Sequence, residues 1–169
     1  MKKYSKPTLV LFCGLPGAGK TTLAKKLNKI GKGVRICTDD WQADLGMNAN
    51  PNNFHEKLQK RLYEHALELL RNNQSVILED GLWMKHERDA KLTDAKNHNA
   101  RTEMHYFDLS FDENWNRLEF RNKNLPHGAV HIDKEKLQVC WNKLQKPTSD
   151  ELAQYDKVYV YKDDTELPE

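Results

Sequence analysis

Apolar residues along this chain alternate between short unbroken runs and longer stretches spaced by three and four. Residues 8–12, Val34 to Cys37, Ser75-Val76-Ile77-Leu78, Glu103 to Leu109 and Val158-Tyr159-Val160-Tyr161 read as strands. Between them, Leu23, Ala24, Leu27 and Ile30 mark a helix from Gly19, closed by Gly31 or Gly33. Phe54, Leu58, Leu62, Ala66, Leu69 and Leu70 mark a second helix that runs to about Arg71, and His86 to about His98 reads as a more polar one. The capping box Ser110-x-x-Glu113 opens a helix through Trp115, Leu118 and Phe120, and Asp133 caps another with Leu137, Cys140, Trp141 and Leu144. Arg121 to His131, which holds Pro126 and Gly128, breaks the periodicity. Strands alternating with helices predict an α/β domain, a parallel sheet covered on both faces with ligands at the carboxyl ends of its strands.

The loop after the first strand carries the most specific signal. It reads Gly14-Leu15-Pro16-Gly17-Ala18-Gly19-Lys20-Thr21, a complete G-x-x-x-x-G-K-[ST] phosphate-binding pattern in the strand–loop–helix context it requires. Such a loop turns backbone N–H groups toward a polyphosphate, and the following helix adds the positive end of its dipole. Lys20 then reaches the β- and γ-phosphates and the Thr21 hydroxyl holds Mg²⁺. The expected ligand is a nucleoside triphosphate, ATP above others, contacted by Leu15, Pro16, Gly17, Ala18, Gly19, Lys20, Thr21 and Thr22.

Two further clusters stand at strand ends. Thr38-Asp39-Asp40 follows the second strand, where a carboxylate can accept the proton of an attacking hydroxyl; the alternative is that Asp39 or Asp40 caps a short helix at Trp41. Glu79-Asp80 follows the third strand, and either residue could order Mg²⁺ and its waters or simply end the strand. Arg117, Arg121 and Lys123 bracket the aperiodic segment, a cationic loop able to close on a triphosphate and neutralise developing charge. Arg88 is a weaker candidate for the same work or for holding the acceptor. His127 and His131 lie four apart, but Gly128 between them argues against a helical zinc pair. Trp41 and Trp83 follow the acidic pairs and could line an acceptor pocket or pack ordinarily.

Composition narrows the picture modestly. At 169 residues the chain fits one domain, and its 27 basic and 25 acidic residues are interspersed, so charge by itself points to neither nucleic acid nor membrane. Lys2, Lys3 and Lys6 before an apolar run imitate a secretion signal, but the run ends in the phosphate loop and reads as the first core strand. No stretch approaches the ~18 apolar residues of a membrane span. Cys13, Cys37 and Cys140 are odd in number and form no C-x-x-C, which suits a reducing cytoplasm.

Residues 14–24, Thr38-Asp39-Asp40-Trp41, Val76-Ile77-Leu78-Glu79-Asp80, and the stretch from Arg117 through Arg121-Asn122-Lys123 to Ile132 together resemble the small P-loop kinases, a group that includes polynucleotide 5′-hydroxyl kinases, chloramphenicol phosphotransferase and zeta-toxin-like enzymes. The resemblance covers nearly the whole chain and implies a three-layer P-loop NTPase fold. Its sheet would have five mostly parallel strands in the order 2-3-1-4-5, with a short lid over about residues 121–131. It implies Asp39 as the catalytic aspartate and Arg121 as a lid arginine, with Lys20, Arg117, Asp40 and Arg88 as further candidates. It also suggests that adenine rests between a lid arginine such as Arg117 and the loop before the last strand, at Pro147 and Thr148. Gln42 stands where polynucleotide kinases carry an arginine, which weakens the case for a nucleic-acid 5′ end as acceptor. A regulatory GTPase should show D-x-x-G and N-K-x-D, and neither occurs. A larger remodelling ATPase should carry a second helical domain, for which the chain is short. The expected activity is transfer of a phosphoryl group from Mg-ATP to a hydroxyl, with the acceptor open among nucleosides, oligonucleotide ends, sugar nucleotides, antibiotics and similar compounds. ATP hydrolysis or nucleotide sensing without an acceptor is the alternative.

Overall fold

Five strands lie parallel in the order β2-β3-β1-β4-β5 in a computed structural model that describes residues 5–47 and 51–165. They are β1 (Thr8–Cys13), β2 (Val34–Ile36), β3 (Val76–Leu78), β4 (Arg101–Phe107) and β5 (Lys157–Tyr161). Between them run α1 (Lys20–Lys29), α2 (Thr38–Asp44), α3 (Phe54–Arg71), α4 (Lys85–Asn97), α5 (Phe111–Lys123), α6 (Lys134–Lys143) and α7 (Ser149–Leu152), with a 3-10 turn at Pro51–Asn53 before α3. The order and the parallel sense match the sequence expectation.

The period of two in the strands decides the layers. Leu9, Leu11 and Cys13 of β1, with Val76, Leu78, Met104 and Tyr106, meet Leu62, Ala66 and Leu70 of α3 and Leu92 and Ala95 of α4. Val10, Phe12, Ile77 and Phe107 point the other way, against Leu23 and Ala24 of α1. Strand β1 is therefore closed on both faces, which is why it reads as an unbroken apolar run; each fully buried side chain of this size contributes about 1.5–3 kcal/mol. A third cluster of Leu15, Leu118 and Leu137 joins the phosphate loop to α5 and α6. The carboxyl ends of β1, β2 and β3 are thereby brought to one edge.

Four elements differ from the expectation. Strand β4 runs Arg101–Phe107 where Glu103 to Leu109 was expected, starting and ending two residues earlier; the polar Thr102 at its start is buried yet satisfied, with Asp156 Oδ2 accepting from its N–H (2.7 Å) and hydroxyl (3.1 Å). Helix α2 starts at Thr38, so Asp39 and Asp40 lie in its first turn rather than in a loop. Helix α5 continues through Lys123, so the aperiodic segment begins beyond Arg121; Phe120, the last apolar residue of the helical spacing, is exposed, and the three helical residues after it are all polar. Helix α7 has four residues, too few for a period, and its N-cap Thr148 accepts from the Glu151 N–H.

Glu151 of α7 is also the partner of Arg88. Both are buried, and Arg88 donates to Glu151 Oε2 (3.1 Å) and to the carbonyls of Leu82 (3.0 Å) and Trp83 (3.1 Å), tying the β3–α4 connection to α7. Removing one member of such a pair strands a buried charge. Arg88→Ala should lower unfolding free energy by about 3–5 kcal/mol in urea titrations, whereas the double exchange Arg88→Met with Glu151→Met should recover most of it.

Candidate active site

The phosphate loop is held by side chains from several elements. Trp83 Nε1 donates to the Gly14 carbonyl (3.0 Å), Asn114 Nδ2 to that of Pro16 (2.8 Å) and Arg117 Nη1 to that of Ala18 (3.1 Å). Lys20 Nζ takes the carbonyls of Gly14 (2.9 Å) and Leu15 (2.7 Å). Leu15 and Ala18 are buried, so they can offer a ligand only their backbone. Gly17 has φ +82°, and a Cβ there would stand 2.6 Å from Leu118 Cγ, so the loop can approach α5 this closely only with glycine. Burial pushes the Lys20 ammonium down to about 8, against the pull of Glu79.

The strand-end acids separate into distinct roles. Glu79, whose side chain is 4% exposed, accepts the Thr21 hydroxyl on Oε1 and Arg35 Nε on Oε2 (2.6 Å). The same guanidinium donates through Nη1 to Asp40 Oδ2 (2.7 Å). Burial opposes the charge on Arg35, but hydrogen bonds to Glu79 and Asp40 outweigh it and raise its pKa. Asp39, one residue away, keeps a 69% exposed carboxylate that faces the cleft, with His55 Nδ1 3.8 Å off. Asp80 lies half-buried in the cleft wall, where desolvation raises its pKa, partly offset by the Gln59 hydrogen bond. Thr21, Glu79 and Asp80 supply the hard oxygen donors that suit Mg²⁺. Among the described residues no three His, Cys, Asp or Glu side chains cluster closely enough to hold a metal by themselves.

The segment after α5 borders the cleft through Pro126, His127, Gly128, Ala129, Val130 and Ile132. Arg121 Nη2 donates to the Val130 carbonyl (2.9 Å), and its Nε is buried without a hydrogen-bond partner among the described residues. Burial lowers the Arg121 pKa while the charge of Asp39 supports it. Asn122 Nδ2 holds the Ile132 carbonyl (2.7 Å), and His127 Nε2 meets Asp44 (2.7 Å). Gly128, at φ +74°, lies so close to α2 that a Cβ would stand 2.8 Å from Asp40 Oδ1 and 3.4 Å from the Asp39 carbonyl carbon. These groups enclose a cleft of about 800 Å³ lined by the loop, Asp39, Asp40, Glu79, Asp80, Trp83, Arg117 and Arg121.

Thus Pro16, Gly17, Gly19, Lys20, Thr21, Thr22, Asp39, Asp40, Glu79, Asp80, Arg117 and Arg121 are brought together as the sequence suggested. Arg88 is not among them, because its guanidinium is spent on Glu151 beneath the β3–α4 connection. Pro147 and Thr148 do not line the cleft either; Thr148 serves as the α7 cap. Trp41 is 49% exposed outside the cleft, while Trp83 lines it. Gln42 is buried, donating to the Met47 carbonyl (2.8 Å) and accepting from His55 (2.7 Å). Sequence reading missed Arg35, His55 and Gln59; for Arg35 the signal was a charge in the middle of an apolar strand.

Residues 9–147 match the AAA domain family. A comparison with curated proteins found no match. Among solved structures, a gluconokinase from Sinorhizobium meliloti 1021 aligns over 95% of this chain and 85% of its own, at 12% identity and a TM-score of 0.64. Kti12 of Chaetomium thermophilum, solved with ADP-AlF3, aligns over 92% of this chain and 89% of its own, at 16% identity and a TM-score of 0.67. A chain of the Pnkp1/Rnl/Hen1 RNA repair complex aligns over 85% of this chain at 22% identity and a TM-score of 0.69, and this chain spans 46% of that longer one. Among the described residues no helix is long and apolar enough to cross a membrane. The chain belongs to the AAA domain family, and its fold is that of the P-loop kinases.

Proposed function

We propose that this protein is an ATP-dependent phosphotransferase that moves the γ-phosphate of Mg-ATP to a hydroxyl of a small-molecule or nucleotide-like acceptor. The observation that carries the reading is the convergence, in one cleft, of Lys20 and Thr21 on the loop, the exposed carboxylate of Asp39 and the guanidinium of Arg121. A plain nucleotide-binding site needs only the first of these. The acceptor oxygen forms a bond to the γ-phosphorus as the bond from that phosphorus to the ADP oxygen breaks, and the hydroxyl proton passes to Asp39. Asp40 is the poorer base because Arg35 already engages it. Lys20 and Arg121 face the charge that spreads over the transferred group. Thr21, with Glu79 or Asp80, would hold Mg²⁺, whose chemistry is to neutralise the phosphate oxygens.

The free, buried Cys13 and Cys37 accord with a reducing compartment, and we place the protein in the cytoplasm. Acceptor pools of nucleosides, oligonucleotide ends, sugars and antibiotics test the function directly: at least one pool should stimulate ATP turnover, and a rate indifferent to every pool argues for a simple ATPase.

Two outcomes follow from the geometry. Asp39→Asn should change calorimetric Mg-ATP affinity by less than about tenfold while acceptor phosphorylation falls by ~10²–10⁴, and Asp40→Asn should do much less. Equal transfer by both variants would remove the base from α2. The second outcome concerns Lys20, which loses its proton near pH 8 in the free protein and should regain it against the phosphates. Mg-ATP affinity should therefore fall about fivefold between pH 8 and 9, with net proton uptake seen as buffer-dependent binding heat. Lys20→Ala should weaken binding and abolish that uptake.

A further inference from the structure

Arg35 has no part in the chemistry assigned above, yet it joins the two halves of the site. It sits at the centre of β2, paired with Ile77 of β3, and its side chain is 15% exposed. Glu79 occupies one end of its fork and Asp40 another, while Nη2 is buried with no hydrogen-bond partner among the described residues. The fork is thus committed to two carboxylates from different elements. On its far side Glu79 meets Thr21, giving a continuous chain Thr21–Glu79–Arg35–Asp40 from the first turn of α1 to the first turn of α2.

The two Glu79 oxygens are therefore unequal. Oε2 faces Arg35, whereas Oε1 faces Thr21 and the loop. When the Thr21 hydroxyl turns to a metal ion, Oε1 is left facing the nucleotide side while Oε2 stays held. We propose that Arg35 is a positioning residue for the metal side of the site: anchored by Asp40, it fixes the Glu79 carboxylate so that one oxygen is always presented toward Thr21 and the ion. A lysine could not do this, because an ammonium is a point charge on a flexible stem and lacks the planar fork that spans both acids. The proposal rests on the nucleotide-binding part of the kinase reading and not on an acceptor.

ATP binding measured by calorimetry with and without Mg²⁺, on wild type, Arg35→Lys and Arg35→Met, tests it without turnover. Metal-free ATP affinity should stay within about twofold, since Arg35 touches no loop atom, while the gain in affinity that Mg²⁺ confers should fall by about 10–100-fold in Arg35→Met, the usual cost of losing an outer-shell partner. Arg35→Lys should lie between the two, and Asp40→Asn should reduce the gain less than Arg35→Met. A merely structural Arg35 would lower the melting temperature and leave the Mg²⁺ gain intact, which overturns the proposal. If Arg35→Met does not fold, Arg35→Lys decides by itself: a full Mg²⁺ gain refutes the assignment and a reduced one supports it. Because no acceptor enters, failure of the kinase reading would appear separately, as ATP turnover that no acceptor stimulates.

Discussion

The fixing of the phosphate-loop carbonyls is the interaction on which the rest of the site depends. Gly14, Leu15, Pro16 and Ala18 each have their carbonyl oxygen engaged, by Trp83, Lys20, Asn114 or Arg117. A loop so held can keep its N–H groups turned to an anion without collapsing when the anion leaves. The same side chains tie the loop to its surroundings: Trp83 belongs to the β3–α4 connection that follows Glu79 and Asp80, and Asn114 and Arg117 belong to α5, the helix that also carries Arg121. Moving the loop would move the acids and the lid together.

A second layer of organisation distinguishes groups that look equivalent in the sequence. Asp39 and Asp40 are adjacent in one helical turn, yet one is open to the cleft and the other is bound by Arg35 and covered by Gly128. Arg88 and Arg35 are both arginines engaged with carboxylates, yet one stabilises the fold through Glu151 and the other links acids of the cleft. The difference in each case is set by the partner each side chain meets in the fold and cannot be inferred from residue type.

Legibility followed the range of the interaction that determines each feature. Strand β1, its loop and α1 are contiguous, and the phosphate pattern depends on local backbone geometry, so all three were visible. The strand order came from the resemblance, and strand and helix alternation supplied the layers. Helices α2 and α7 are too short to show a period, and the last turn of α5 exposes Phe120, so their bounds were not. The start of β4 was hidden because the buried Thr102 is satisfied by Asp156, 54 residues on. The role of Arg35 was hidden for the same reason: Glu79 lies 44 residues on.

The central claim is that phosphate leaves this cleft on an acceptor and not in water. Following ³¹P resonances of Mg-ATP with the protein and a stimulating acceptor pool measures this most directly. The account predicts a new phosphomonoester signal that grows in step with ADP while inorganic phosphate stays near its background. ADP and inorganic phosphate rising together in equal amounts, with no ester signal, would contradict it.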